Sequence, residues 1–231
     1  MPTRGTTVIL GPWDRPRKPA LPKRDRPFRY AGRYWLERWP AGVKRGAPGI
    51  KRAPLPAAPA LPPLVFVTSP NQSSRDGSSI RYLVVHETEG SYAGAVSWLV
   101  NPDSRASAHV VLSEDGNRSA QLVPFSRKAW HASDYNDESI GLELAGFTAS
   151  PNQLGQLEAA ARIIAALCLE YSIPAVIGNP ARGGHGGIVT HRMLGAAGGG
   201  HHDPGGFDFG ALVDSAGREV RRGGFRSWGR R

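Results

Sequence analysis

Two histidines and one aspartate have the residue types of a metal site. His86 ends a run of apolar residues, His191 ends a second, shorter run, and Asp203 follows in a Gly-rich stretch. Two imidazoles and a carboxylate, with a fourth position left to water, are a common ligand set for catalytic zinc. Strand ends are also where a rigid scaffold delivers side chains to a cleft. The residues alone therefore suggest a zinc site, beside the alternative that each histidine is simply structural.

The short sequence strings around these residues occur in an order that is typical of one enzyme family. The strings are Val85–Thr88, Ser107–Val110, Ala129–Ala132, Asn136 with Ser139–Glu143, Thr190–His191 and His201–Gly205. Together they resemble the N-acetylmuramoyl-L-alanine amidase family, which includes phage lysozyme-amidases, bacterial anhydro-muropeptide amidases and animal peptidoglycan-recognition proteins. The resemblance extends from about residue 78 to residue 212.

The resemblance implies a role for each polar residue of the strings. His86, His191 and Asp203 occupy the zinc-ligand positions, and Glu143 occupies the position of the catalytic acid and base. The position two residues before the last ligand is often lysine in the family, where it steadies the tetrahedral intermediate. Here it is His201, whose imidazole could fill that role. Because all three ligand positions hold competent residues, the resemblance favours an enzyme over the family's non-catalytic recognition branch.

Three further residues are predicted to contact the substrate. Trp130 and His131 are expected to line the groove for the sugar and peptide, and Asn136 is expected to hydrogen-bond the substrate. Each has a simpler alternative, since a tryptophan is as often part of a core and an asparagine can shape its own turn. His109 is predicted to be a packed structural residue rather than a ligand.

The chemistry implied by the resemblance is hydrolysis of the amide between N-acetylmuramic acid and L-alanine in peptidoglycan. Zinc would supply a Lewis acid that activates water and polarises the carbonyl. Glu143 would take the water proton and return it to the alanine nitrogen, and His201 would help to stabilise the oxyanion. The function predicted is a phage endolysin that lyses the host cell. The alternatives are a cytosolic amidase that recycles anhydro-muropeptides and a non-catalytic peptidoglycan-binding protein.

Apolar and alternating patterns predict the elements that position these residues. The predicted strands are Ile80–His86, Ala108–Ser113, Arg118–Val123, Ile140–Leu144 and the short segment Ile188–His191. An Asp115-Gly116 turn joins the second and third strands as a hairpin. The predicted helices are Ala93–Leu99 and a long helix that opens at Ser150-Pro151. We therefore expect an α/β fold with a central mixed sheet flanked by helices.

Charge and proline divide the chain into three parts. Residues 1–70 contain fourteen of the twenty prolines and fourteen Lys/Arg against three Asp/Glu. This predicts a basic, Pro-rich N-terminal arm and linker over residues 1–63, because proline interrupts both helices and central strands. The predicted catalytic domain covers residues 64–214, which are acidic on balance from residue 71 onward. Residues 215–231, with six arginines and one glutamate, are predicted to be a basic C-terminal tail.

The composition also bears on partners and location. The net charge of +10, concentrated in the two ends, predicts binding to anionic cell-wall polymers, while the acidic centre and the lack of a recognised motif argue against nucleic acid. No apolar run approaches the length of a membrane span, and the N-terminal residues do not read as a signal peptide. The expectation is a soluble protein made in the cytoplasm that reaches the wall by assisted release. The single cysteine, Cys168, is predicted to be a buried apolar residue.

Overall fold

The computed structural model describes residues 27–30, 33–36, 64–181 and 184–222 of the chain. The chain divides into two compact units, Met1–Arg52 and Ala53–Arg231. In the first unit, β1 (Pro27–Tyr30) and β2 (Arg33–Leu36) pair as an antiparallel hairpin. Apart from these two strands, the predicted arm and linker over residues 1–63 lies outside the described residues, as do the last nine residues of the predicted basic tail, 223–231.

The second unit is built on a mixed sheet. Its strands are β3 (Leu64–Phe66), β4 (Gln72–Ser73), β5 (Tyr82–Glu87), β6 (Val110–Leu112), β7 (Ser119–Gln121), β8 (Lys128–Ala129), β9 (Ser139–Leu144) and β10 (Gly187–Thr190). Six of them form one sheet in the order β10-β5-β9-β6-β7-β3, and β4 pairs separately with β8. Within the six-stranded sheet β6 and β7 are antiparallel, as the predicted hairpin requires, and the other neighbours are parallel. The predicted α/β class with a mixed sheet is confirmed.

Three α-helices and three 3-10 segments complete the described part of the second unit. The helices are α1 (Tyr92–Leu99), α2 (Leu154–Tyr171) and α3 (Phe209–Arg222), and the 3-10 segments are Pro102–Ser104, Ser133–Tyr135 and His191–Gly198. Ser91 caps α1, with its Oγ accepting a hydrogen bond from the Gly94 N–H at 3.2 Å. Among the described residues, no helix combines the length and apolar character needed to cross a bilayer.

Alternation along the strands gives the sheet one face for the main core and an opposite face on which the site residues lie beside smaller apolar clusters. The core face contributes Leu83, Val85, Ile140, Leu142 and Leu144, which pack with Ala159, Ala160, Ile163, Ile164 and Leu167 of α2 and with Leu212 and Val213 of α3. Burying one such leucine or isoleucine side chain stabilises the fold by about 1.5–3 kcal/mol. This apolar layer therefore fixes the strands whose other face carries His86 and Glu143.

The long helix begins later than the sequence predicts. The prediction placed its first turn at Ser150-Pro151, and this is wrong, because α2 begins at Leu154 after an N-cap residue that makes no side-chain capping bond. Ser150 instead lies close to Gly206. A Cβ added to Gly206 would collide with the Ser150 carbonyl oxygen. Contact with the turn that follows Asp203 thus outweighs the local preference for an N-cap at Ser150.

The C-terminal helix is a second difference from the sequence analysis. Residues from 215 onward were assigned to a basic tail, whereas α3 continues through residue 222 and packs on α2. Its Ala216 and Gly217 are buried, while Arg218 and Arg222 are exposed. The amphipathic pattern of α3 is hidden in the sequence by the density of charge on its outer face.

Candidate metal centre and active site

Three potential metal ligands converge at the carboxyl ends of β5 and β10. His86 lies near the end of β5, His191 follows β10 directly, and Asp203 lies in the loop before α3. The His86 Nδ1 is 3.0 Å from the His191 Nδ1 and 3.3 Å from the Asp203 Oδ2. The His191 Nδ1 is 3.0 Å from the Asp203 Oδ1. The structure therefore brings together the three residues that the sequence analysis assigned to zinc.

The arrangement of donor and acceptor atoms in these groups suits a divalent cation. The His191 Nε2 lies 2.8 Å from the Gly198 carbonyl oxygen, which can only accept, so Nε2 carries a proton and the Nδ1 of that tautomer carries a lone pair. Burial lowers the pKa of His86. Burial works to raise the pKa of Asp203, but the close contacts with His191 and His86 outweigh burial and hold that pKa well below its usual range. Two imidazole lone pairs and a carboxylate that face one another are a donor set that fits zinc.

The loop that carries Asp203 is tied to β5 by the residue next to His86. The backbone N–H of Glu87 lies 3.3 Å from the Asp203 Oδ2, and the Glu87 Oε2 accepts a hydrogen bond from the Gly205 N–H at 2.9 Å. Burial raises the pKa of Glu87. From the other side, Arg192 donates to the carbonyl oxygens of His202 and Pro204. These contacts fix the turn and therefore the direction of the Asp203 carboxylate.

Glu143 stands beside His86 on the face of the sheet opposite the main core. The two residues are register partners in the parallel strands β9 and β5, so their side chains leave the sheet on the same side. Both line the groove that also contains His191 and Asp203. Burial, followed by the negative charges of Asp203 and Glu87, raises the pKa of Glu143 from its usual 4.5 to about 8. A carboxyl group with such a pKa can both accept and return a proton near neutral pH.

The raised pKa of Glu143 predicts a pH dependence of stability in the metal-free protein. The folded state binds the Glu143 proton more tightly than the unfolded chain, so this contribution is complete below about pH 4.5 and is lost as the pH rises towards 8. Wild type should therefore lose more stability over this window than Glu143→Gln. Denaturant midpoints measured in chelator across the window test this. Parallel pH profiles for the two proteins would contradict it.

His201 lies over the metal-ligand cluster at the open side of the groove. Its ring stacks on the His191 ring with 4.3 Å between centroids and 15° between planes, and its Nδ1 is 4.0 Å from the Asp203 Oδ1. The side chain is 61% exposed. An exposed imidazole at this edge can contact a ligand in the groove, and its predicted role at the oxyanion stays a prediction.

The three predicted substrate-contact residues border the same groove, and each also makes hydrogen bonds within the protein. The Trp130 Nε1 donates to the Ser73 Oγ at 3.0 Å. The Asn136 Oδ1 accepts hydrogen bonds from the backbone N–H groups of His131 and Ala132 at 2.9 and 2.7 Å. The Nδ1 of His131 lies 2.9 Å from the Nε2 of His86. Their substrate contacts remain predictions, and all three residues line the groove.

His109 is buried behind the site, as expected for a structural residue. Its Nδ1 accepts a hydrogen bond from the Gly141 N–H at 3.0 Å, and its Nε2 lies 3.1 Å from the Arg127 carbonyl oxygen. Burial and then the positive charge of Arg75 lower the pKa of His109 to about 3, so the ring is neutral. It contributes no atom to the metal-ligand cluster.

Two arginines in or near the site were not predicted from the sequence. Arg75 is buried and donates to the carbonyl oxygens of Asn136, Asp137 and Ser139, which fixes the approach to β9. Arg105 is exposed, in a left-handed conformation (φ 50°), and is the one Lys or Arg among the described residues that line the groove. A single arginine in a loop carries no local signal, so only the folded chain reveals either role.

The groove itself has room for a sizeable part of a ligand. Its volume is about 500 Å³, and it is open to solvent along one side. Beside the metal-ligand cluster its walls include Trp98, which is 57% exposed on α1, and Trp130 on the opposite strand end. Aromatic faces and a cation beside a cluster of anionic and imidazole groups suit a substrate with both sugar and carboxylate parts.

Comparison with known sequences identifies relatives of the site-bearing region. The family model for N-acetylmuramoyl-L-alanine amidase matches residues 76–206. N-acetylmuramoyl-L-alanine amidase A of Achromobacter lyticus is 32% identical over 110 residues, which are 47% of this chain and 58% of the relative. The 1,6-anhydro-N-acetylmuramyl-L-alanine amidase AmpD of Citrobacter freundii is 38% identical over 96 residues, 38% of this chain and 49% of the relative. The chain thus spans about half the length of these curated relatives.

Solved structures share the fold. A crystal structure of an AmpD derivative is 27% identical, with a TM-score of 0.52, and the match covers 66% of this chain and 93% of that one. The hydrolase AmiA of Staphylococcus aureus, solved in complex with its ligand, has a TM-score of 0.59 at 19% identity, with coverage of 73% and 89%. At that identity the second match supports the fold alone.

Proposed function

Since the chain belongs to the N-acetylmuramoyl-L-alanine amidase family, we propose that it hydrolyses the amide bond between N-acetylmuramic acid and the first L-alanine of peptidoglycan, with zinc as its cofactor. The observation that carries the proposal is the convergence of His86, His191 and Asp203 beside Glu143 in an open groove. Zinc bound by the three ligands would supply a Lewis acid that acidifies water and polarises the amide carbonyl.

The protein's own residues account for the proton transfers and for the charge that develops. Glu143, which lines the groove beside His86, accepts a proton from the attacking water and returns it to the departing alanine nitrogen. His201, exposed at the rim of the site, donates a hydrogen bond to the carbonyl oxygen as its negative charge develops. The C–N bond of the amide breaks, and the products are a carboxylate and a free alanine amine.

The test of this function is digestion of purified sacculi with and without a chelator. We expect release of new N-terminal alanine that chelator abolishes and added zinc restores, without new reducing sugar ends. New reducing ends would mean that a glycosidic bond is cut and would overturn the proposal. Binding to sacculi without any cleavage would instead support a non-catalytic peptidoglycan-binding protein.

Two biological settings fit this chemistry. The basic N-terminal sequence favours an enzyme that acts on intact walls, such as a phage endolysin, because a soluble muropeptide offers no extended polyanion. The identity with AmpD relatives favours a recycling amidase that acts on anhydro-muropeptides. Turnover of intact sacculi compared with soluble anhydro-muropeptides separates the two settings, and we expect faster turnover of sacculi.

We expect the basic ends of the chain to hold the enzyme on anionic wall polymers by electrostatic attraction. Binding of the full chain to teichoic-acid-bearing walls should then weaken steeply with salt, because at about 0.5 M the screening length falls to about 4 Å. Sedimentation of Glu143→Gln with walls at low and high salt measures this without lysis. Binding that is indifferent to high salt would rule out an electrostatic anchor.

Arg105 is predicted to bind a carboxylate of the stem peptide. A charge-assisted hydrogen bond contributes about 1.5–3 kcal/mol, so Arg105→Gln should raise KM by about 10- to 100-fold with little change in kcat. The matched control is Arg218→Gln, an exposed arginine on α3 outside the groove lining. Steady-state kinetics on a muropeptide and its amidated form check the idea. Equal loss on both substrates would show that Arg105 does not recognise the carboxylate.

A further inference from the structure

A chain of hydrogen bonds leads from the backbone to the candidate ligand His86. The Ser139 Oγ donates to the Tyr135 carbonyl oxygen at 2.6 Å. The Nε2 of His131 lies 3.2 Å from the same Ser139 Oγ, and the Nδ1 of His131 lies 2.9 Å from the Nε2 of His86. The far nitrogen of His86, Nδ1, faces His191 and Asp203. Four groups are thus linked in series behind the metal-ligand cluster.

The Tyr135 carbonyl oxygen, at the start of this series of hydrogen bonds, decides which group donates and which accepts in every later bond. A carbonyl oxygen only accepts, so the Ser139 hydroxyl proton is committed to Tyr135. The Ser139 Oγ therefore accepts from His131, whose proton lies on Nε2. A neutral imidazole with a proton on Nε2 has a lone pair on Nδ1, so His131 accepts from the Nε2–H of His86. His86 then presents its own lone pair from Nδ1.

The surrounding residues hold His131 in the position that this chain requires. Its ring lies close against Gly141, where an added Cβ would be 2.7 Å from the ring Nδ1 and 2.8 Å from Cγ. The backbone N–H of His131 is bound by the Asn136 Oδ1. Ser139 and Gly141 alternate on β9 with core residues, so both face His131, and Arg75 binds the Ser139 carbonyl oxygen.

We propose that His131 is a positioning residue, which together with Ser139 fixes the tautomer and orientation of His86 so that the His86 Nδ1 is ready to bind zinc. The inference rests on the proposed function, because it concerns the zinc site of that function. An outer partner that fixes a ligating histidine typically contributes 10- to 100-fold to metal affinity. In this arrangement the backbone carbonyl of Tyr135 is the anchor of the whole series.

This role differs from the substrate contact that the sequence suggested for His131. Both ring nitrogens of His131 are already within hydrogen-bonding distance of protein groups, one at His86 and one at Ser139. Neither remains to bind a sugar or peptide. The two roles predict different measurements, since a substrate contact affects KM and a positioning residue affects zinc affinity.

The first experiment compares zinc affinity in two variants of similar size. His131→Leu removes the acceptor for the His86 Nε2–H, whereas His131→Asn keeps an oxygen close to the position of Nδ1. Competition with a chromogenic chelator should show zinc bound about 10- to 100-fold more weakly by His131→Leu, with His131→Asn closer to wild type. Circular dichroism of the metal-free proteins verifies that both variants are folded. Folded variants with equal affinities, or a rise in KM without loss of zinc, would overturn the positioning role.

The second experiment reads the tautomers directly and needs no substitution. Long-range ¹H–¹⁵N correlation spectra of the metal-free wild type should show His86 and His131 as Nε2–H tautomers. A proton on the Nδ1 of His131 would overturn the proposal, because that nitrogen could not accept from His86. Failure of the proposed function gives a different result. Wild type that binds no zinc would overturn the zinc-dependent function and the positioning role together. Wild type that binds zinc and cleaves sacculi, with His131→Leu equally competent, would overturn the positioning role alone.

Discussion

Glu143→Gln should lower the rate of alanine release from sacculi by about 10²- to 10⁴-fold, the usual contribution of a positioned general acid and base. Glutamine keeps the shape of the side chain and its place beside His86 on the sheet, but it can neither accept nor return a proton. Zinc binding and wall binding should survive, because Glu143 is outside the group of three ligands. The measurements are single-turnover kinetics on sacculi and zinc titration of the same preparation.

The matched control for this prediction is Glu158→Gln, which alters an exposed glutamate on α2 outside the groove. We expect it to retain wild-type rates. Lysis that persists in Glu143→Gln within about 3-fold of wild type, below the smallest usual acid–base contribution, would remove Glu143 from its assigned role. Loss of zinc by this variant would show instead that Glu143 supports the metal site.

Asp203→Asn should abolish both zinc retention and hydrolysis. Replacing a carboxylate ligand by an amide removes the negative charge that balances the cation, and we expect a loss of affinity beyond the roughly 10- to 100-fold caused by outer partners. The amide oxygen can still accept from the Glu87 N–H, so the loop should keep its course. Zinc content after dialysis and alanine release are the two measurements.

Asp214→Asn is the control, since Asp214 is exposed on α3 and lies outside the groove. It should bind zinc and cleave as wild type does. Zinc affinity in Asp203→Asn close to that of wild type would mean that His86 and His191 bind the metal without Asp203. In that case the short contacts of Asp203 with both rings would have only a structural purpose.

The local sequence pattern was sufficient to predict the strands that carry the site. The apolar runs ending at His86 and at His191 are strands β5 and β10, and the Asp115-Gly116 turn joins β6 to β7 as predicted. These features depend on residues close together in sequence. Side-chain alternation in a strand and the glycine of a hairpin turn, which has φ of 75° at Gly116, are set by local backbone geometry.

The helical boundaries were less predictable because distant contacts decide them. Ser150 is a good N-cap residue by type, yet α2 begins at Leu154 because residues near Ser150 contact the turn at Gly206. The charged outer face of α3 conceals a helix whose Ala216 and Gly217 pack into the core. In both cases burial against another element outweighs the local propensity of the sequence.

By itself the sequence determined the residue types of the site and the strands that bear them, because a strand end and its side-chain direction are local properties. The tertiary structure decided the 3.0 Å approach of His86 to His191, the raised pKa of Glu143 and the hydrogen-bond chain from Tyr135 to His86. Such features depend on distances between residues far apart in the chain, and on the burial that brings them there. Only packing of the sheet against its helices and loops fixes those distances.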